Sequence, residues 1–127
     1  MAHQFQKHYT RDEARELLPQ VRQWLKRLAH LQAELQQCEK RLSGLMAPGC
    51  DLGGDLVNRW IRTLAEISGV FAEFERREIQ VKDVERGLID FPAIIGGREV
   101  FLCWEQDDED IEFWHDLDAG YAGRERL

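Results

Sequence analysis

The sequence predicts an α+β fold: a long antiparallel helical hairpin, its first helix kinked near Pro19, with a small C-terminal antiparallel β-sheet packed on one end. Three observations predict it. A seven-residue apolar repeat runs from Ala14 to Leu45, the mark of a long helix with one sticky seam. Apolar residues recur at helical spacing from Leu56 to Phe74. Gly96-Gly97 then lies between two runs rich in β-branched and aromatic residues, a strong hairpin signal.

The first helix should start near residue 11, because Thr10-Arg11-Asp12-Glu13 fits a capping box. The Thr10 hydroxyl can accept from the amide three residues on, and Glu13 can reach back. The repeat places Ala14, Leu17, Val21, Trp24, Leu28, Leu31, Leu35, Cys38, Leu42 and Leu45 along one seam, all apolar or thiol. Such a seam is core or dimer interface. Leu18 and Leu25 widen the stripe in its first half, where it needs more than one neighbour. Pro19 lacks an amide and crowds the preceding turn, so a kink or short break is expected near residue 18, with Pro19 opening a second helical segment. Helix is expected to continue to about Met46.

Residues 47–54 are turn chemistry throughout, and Asp55 is a candidate N-cap for the second helix. That helix carries Leu56, Val57, Trp60, Ile61, Leu64, Ile67, Val70, Phe71 and Phe74. It should span about 35 Å against about 54 Å for the first, at about 1.5 Å per residue. The mismatch leaves the broad end of the first helix uncovered. The β-rich third should therefore pack on Leu17, Leu18, Val21, Trp24 and Leu25.

Residues 79–84 alternate well enough for a first strand. Leu88 to Ile95 and Arg98 to Trp104 form the arms of the hairpin. A two-residue loop pairs Ile95 with Arg98, Ala93 with Val100, Phe91 with Leu102 and Asp90 with Cys103. Alternation puts Ile89, Phe91, Ala93, Ile95, Val100, Leu102 and Trp104 on the core face. Asp90, Pro92, Ile94, Glu99, Phe101 and Cys103 share the other. Pro92 has no amide to donate, so pairing should stop there or its strand should be an edge. A solvated loop over 106–110, a last strand over 111–114 and an irregular tail from His115 complete the chain.

The 127 residues predict one domain, a helical hairpin over 11–77 followed by a β-unit and tail over 79–127. Net charge is −7, but residues 1–78 carry +1 and residues 79–127 carry −8. An acidic third repels a phosphate backbone, which argues against nucleic acid; a cationic or small-molecule ligand suits it better. The basic residues of the first helix are interspersed with acids and do not change that reading. No apolar run is long enough for a membrane span, and the first residues show no export signal. Cys38, Cys50 and Cys103 are odd in number without metal-type spacing, so neither a disulfide framework nor a zinc knuckle is expected, and a reducing cytoplasm is.

Candidate chemistry is confined to Asp90, Cys103, Trp104, Trp114, His115, Asp116, Asp118 and Arg124. An acid, a thiol and an imidazole can serve as base, nucleophile or ligand. The bland alternatives weigh more: a carboxylate capping the Gly87 turn, a small buried thiol, a histidine at a strand end. His115-x-x-Asp118 supplies two ligands where a structural metal site needs about four. The run Asp107-Asp108-Glu109-Asp110 lacks the glycine and distal glutamate of a calcium loop. No phosphate-binding loop, dinucleotide fingerprint or nucleophile elbow is present.

Thr10-Arg11-Asp12-Glu13-Ala14, Leu17-Leu18-Pro19, Val81-Lys82-Asp83 and Gly87-Leu88-Ile89-Asp90-Phe91-Pro92-Ala93 together resemble an uncharacterised prokaryotic family, domain of unknown function 2203. So do Gly97-Arg98, Leu102-Cys103-Trp104, Trp114-His115 and Gly120-Tyr121-Ala122-Gly123-Arg124. The resemblance implies no activity, substrate or cofactor. The sequence thus predicts a non-catalytic binding or assembly protein that presents its acidic β-unit on a helical hairpin, with the seam open to a second copy. No cofactor, metal or catalytic residue is assigned. The rival expectation is a small-molecule or metal-dependent enzyme using Asp90, His115, Asp116 and Arg124.

Overall fold

A computed structural model describes residues 2–45 and 54–127. Helix α1 spans Arg11–Leu45. Its capping box forms as expected: the Glu13 amide donates to Thr10 Oγ1 at 3.1 Å and the Thr10 amide donates to Glu13 Oε1 at 3.0 Å. Helical structure runs through Pro19 unbroken, so the expected break and second segment do not form. An interior proline costs about 3 kcal/mol. Leu18, Val21 and Leu25 around it are buried, and each such side chain contributes about 1.5–3 kcal/mol. Packing wins.

Ala14, Val21, Trp24, Leu28, Leu31 and Cys38 of the seam are buried within the chain. Leu35 and Leu42 of the same seam are half-buried and Leu45 is 46% exposed. Helix α2, Asp55–Arg76, packs against α1, with Phe74 edge-on to Trp24 at 5.0 Å. Asp55 is not the N-cap: Gly54 takes that place without a side-chain bond, and Asp55 begins the helix. Its charge still suits the positive end of the helix dipole. The remainder of the expected turn lies outside the described residues, as does Cys50. Only Thr63 and Phe74 of α2 are buried, while Ile61 and Leu64 face outward. The apolar stripe of α2 is wider than the face that α1 covers.

Strands β1 (Gln80–Asp83), β2 (Leu88–Ile95), β3 (Arg98–Trp104), β4 (Phe113–Asp116) and β5 (Glu125–Arg126) form one antiparallel meander in chain order. The hairpin register is the expected one, from Ile95 opposite Arg98 to Asp90 opposite Cys103. Gly96 and Gly97 both have positive φ, 60° and 77°, the turn whose twist matches flanking strands. Pairing of β1 with β2 ends at Asp90. Pro92 lies just past that end, and its carbonyl accepts the Tyr9 amide at 2.7 Å. In a strand, nitrogen and carbonyl of one residue point the same way, so the missing donor faces no partner strand.

Ile89, Phe91, Ala93, Val100, Leu102 and Trp104 pack on Leu18, Val21, Trp24, Leu25 and Leu28, with half-buried Leu17 against the same cluster. The sheet closes the broad end of α1, as the length mismatch of the helices predicts. Asp90, Pro92, Phe101 and Cys103 on the opposite face are buried too. Phe5 packs on Phe101 with ring centroids 5.4 Å apart, and residues 115–121 cover Asp90 and Cys103.

Two expectations need correction in the last third. The last strand is shifted to Phe113–Asp116, which places His115 in the sheet, and β5 pairs with it, so the tail is not wholly irregular. The 106–110 loop is not merely solvated. Arg15 grips the Asp110 carboxylate at 2.8 and 2.9 Å, and Arg22 donates to the carbonyls of Gln106 and Asp108. This docking ties off the chain and sends Ile111 into the core.

The Arg15 guanidinium and the Ile111 amide hold the Asp110 carboxyl at about 2, below the ordinary 3.8. A lowered pKa means stability that is present above the unfolded value and is lost as pH falls through the folded one. Asp110→Asn should therefore flatten the acid limb of the stability–pH curve between about pH 4 and pH 2, read by urea unfolding. At Gly87 φ is +63° and an added Cβ would lie 2.7 Å from the Gln106 Cβ. Gly87→Ala should cost about 1–3 kcal/mol in the same measurement.

Candidate functional site

The site grows from the parity of the sheet. Asp90 on β2 and Cys103 on β3 are direct cross-strand partners, and Phe101 on β3 faces His115 on β4. All three polar side chains therefore emerge on the face away from the helices. Their ligand-capable atoms lie within 4.8 Å of one another. His115 Nε2 stands 3.0 Å from Asp90 Oδ2, with both side chains 3% exposed. The Asp90 carboxylate meets an imidazole instead of capping backbone amides beside Gly87.

The other imidazole nitrogen fixes the protonation. His115 Nδ1 lies 2.8 Å from the Asp116 carbonyl, which can only accept, so Nδ1 carries a hydrogen. A carboxylate and a bare Nε2 would both be acceptors. The contact between them therefore needs one shared proton, on nitrogen or on oxygen. Burial pushes the Asp90 carboxyl above its ordinary value, while His115, Lys82 and Cys103 pull it down. Burial, then the Asp90 charge, drives the Cys103 thiol up to about 12, with Arg124 opposing. A thiol so placed is no ready nucleophile.

Asp90 Oδ1 is buried and has no hydrogen-bond partner among the described residues. Asp90, Cys103 and His115 border a cavity of about 270 Å³, closed by Lys82, Leu88, Phe101 and residues 117–121. A larger space of about 540 Å³ lies between residues 4–6, Phe71, Glu78 and Val81, but none of the buried unpartnered polar atoms lines it.

Of the eight candidates, Asp90, Cys103, His115 and Asp118 line the cavity. Arg124 stands beside it: its guanidinium stacks on Phe113 at 3.9 Å and Tyr121 at 4.2 Å, and its charge bears on Cys103. Three do not join them. Trp104 is fully buried on the core face and donates to the Asp108 carbonyl at 3.0 Å. Trp114, opposite Leu102, packs against the core cluster. The Asp116 carboxylate pairs with Arg98 at 3.0 Å, so that residue serves the site only through its carbonyl. Lys82 and Tyr121 line the cavity without having been candidates. Their signal was there: both lie in motifs, Val81-Lys82-Asp83 and Gly120-Tyr121-Ala122-Gly123-Arg124, whose role a linear reading does not reveal.

The model of an uncharacterised conserved protein family, domain of unknown function 2203, matches residues 7–127. No curated protein and no solved structure matches the chain. No helix among the described residues is long and apolar enough to cross a membrane.

Proposed function

We propose, for a chain that belongs to the uncharacterised conserved family of domain of unknown function 2203, that the cavity on the outer face of the sheet is a small-ligand site with Asp90 at its floor. The observation that supports this most is Asp90 Oδ1, a buried acceptor with no hydrogen-bond partner among the described residues. An unmet buried acceptor costs about 1–3 kcal/mol, and folded chains retain few of them outside working sites. A ligand that donates a hydrogen to Oδ1 removes that cost. The cavity suits a small polar occupant, since about 270 Å³ falls below the usual range for drug-sized ligands. The shared proton of Asp90 and His115 is available to such an occupant, which is the feature the enzyme reading would use.

The test is a nuclear magnetic resonance screen of the full chain against fragment-sized amines, amides and carboxylic acids. The reading expects at least one member to shift the amides of Lys82, Asp90, Cys103 and residues 115–121 together, with the response lost in Asp90→Asn. A panel that leaves all of these unmoved, or moves them equally in Asp90→Asn, overturns it.

A second reading, assembly of two copies through the helical pair, is favoured by Leu45, Ile61 and Leu64, which are 46%, 52% and 38% exposed. Exposed apolar side chains at the end of α1 and on the outer side of α2 suit a second helix pair. Sedimentation should then give a dimer that Ile61→Glu with Leu64→Glu dissociates. A monomer at all concentrations removes this reading and leaves the cavity untouched.

A further inference from the structure

We infer that Asp90, Cys103 and His115 form a binding site for one divalent transition-metal ion of the zinc class, an inference that rests on the cavity reading and names its occupant. Three side chains of the types that zinc takes as ligands converge from three adjacent strands, each buried and each with its ligand atom within 4.8 Å of the others. The rigid sheet, rather than a loop, sets their spacing. The imidazole is already oriented as in metal sites: Nδ1–H is held by the Asp116 carbonyl, leaving Nε2 directed inward. Asp90 keeps a buried oxygen without a hydrogen-bond partner among the described residues.

Charge decides the valence. The cluster now holds two exchangeable protons, one on the Cys103 thiol and one shared by Asp90 and His115, and is neutral as a whole. Binding exchanges them: the S–H bond breaks, the shared proton leaves, and metal bonds form to Sγ, Nε2 and the carboxylate. Two protons go to solvent, and a dication with one thiolate, one carboxylate and a neutral imidazole is again neutral. A dication makes that exchange without leaving net charge in low dielectric; a monovalent ion stays neutral only by displacing one proton, which leaves one of the three ligands protonated. Lys82 and Arg124 near the cluster disfavour any surplus of positive charge, which also argues for two-for-one exchange. Three protein ligands leave one tetrahedral position to the cavity, the pattern of zinc sites that bind an exogenous molecule.

A second convergent set, His3, His8 and Glu99, is a weaker candidate. Its Glu99 oxygens already accept from the Gln4 and Phe5 amides and from His8. It supplies the control.

The experiment titrates cobalt(II), and in parallel zinc(II), into chelator-treated full chain. The expected result is one equivalent bound, with a thiolate-to-cobalt charge-transfer band in the near ultraviolet. Calorimetry of wild type in buffers of different ionisation enthalpy should return two protons released per ion. Cys103→Ser should abolish the band, and Asp90→Asn should weaken binding beyond the roughly 10- to 100-fold of an outer-shell change. His3→Ala with His8→Ala should leave both unchanged. Circular dichroism checks that each variant folds, and the proton count needs no variant. The inference is overturned if wild type shows no thiolate band, if fewer than two protons are released, or if the His3/His8 pair abolishes binding. Fragment-induced shifts at the cavity without metal binding would end the metal assignment and keep the ligand site. Metal binding in a chain whose cavity answers no fragment would do the reverse.

Discussion

Trp104→Ala should destabilise the protein by about 3–5 kcal/mol, lowering Tm by roughly 10–25 °C. Trp104 is the largest fully buried side chain, with 0% exposure, and it ends β3 where the sheet meets α1. Its removal leaves a cavity that the surrounding strands cannot collapse into, because β2 and β4 are pinned on either side. Its Nε1 donates to the Asp108 carbonyl and the Arg22 guanidinium lies 4.8 Å above its ring. The same residue thus joins the sheet, the 106–110 loop and α1. Trp104→Phe keeps most of the ring volume, and the Asp108 carbonyl still accepts from Arg22 at 2.9 Å. It should cost only about 1–2 kcal/mol. Thermal and urea unfolding of the two variants check both values. Equal losses would mean that the hydrogen bond, not the volume, matters at this position.

His115→Ala should cost about 3 kcal/mol, because it takes the imidazole from a buried carboxyl whose other oxygen has no hydrogen-bond partner among the described residues. Asp90 will take up a proton rather than stay charged, which keeps the loss at the lower end of the range for broken buried pairs. Replacing both residues by leucine removes the stranded group along with its partner. The double variant should therefore lose less than the two single leucine variants together, by a coupling of about 1–3 kcal/mol. Urea unfolding of the four proteins in the cycle reads that number. Additive losses would show that Asp90 and His115 do not share a proton.

Much of the frame was legible because it is set by local rules. The reciprocal contact of Thr10 and Glu13 spans three residues. The register of β2 and β3 follows from the two glycines between them, and it carries the core face with it. That same register already put Trp104 on the face away from Asp90, so its place among the site candidates conflicted with the parity of its own strand. Of the kink or short break expected near Pro19, the break does not form, for the opposite reason. Proline's local cost is real, but the burial of Leu18, Val21 and Leu25 depends on a sheet that begins some sixty residues later.

The site itself was half legible. Asp90 and Cys103 are neighbours by hairpin arithmetic, yet His115 joins them only because β4 starts at Phe113 instead of Ile111. The shift goes with the Arg15–Asp110 clamp, a contact between residues 95 apart that no local pattern announces. Burial of the outer face has the same origin: Phe5 from one end of the chain and residues 117–121 from the other close over it. Lys82 and Tyr121 both line the cavity that results, out of reach of periodicity.

The arrangement of His115 is what the ligand site, the shared proton and the metal assignment all depend on. Nitrogen-15 nuclear magnetic resonance of the imidazole side chains at neutral pH, without and with zinc(II), measures it directly. His115 Nδ1 should be protonated and in slow exchange with solvent in both states, and the Nε2 resonance should move to the metal-bound range on zinc addition. A His115 ring whose Nδ1 carries no proton, or whose two tautomers interconvert rapidly, would contradict it.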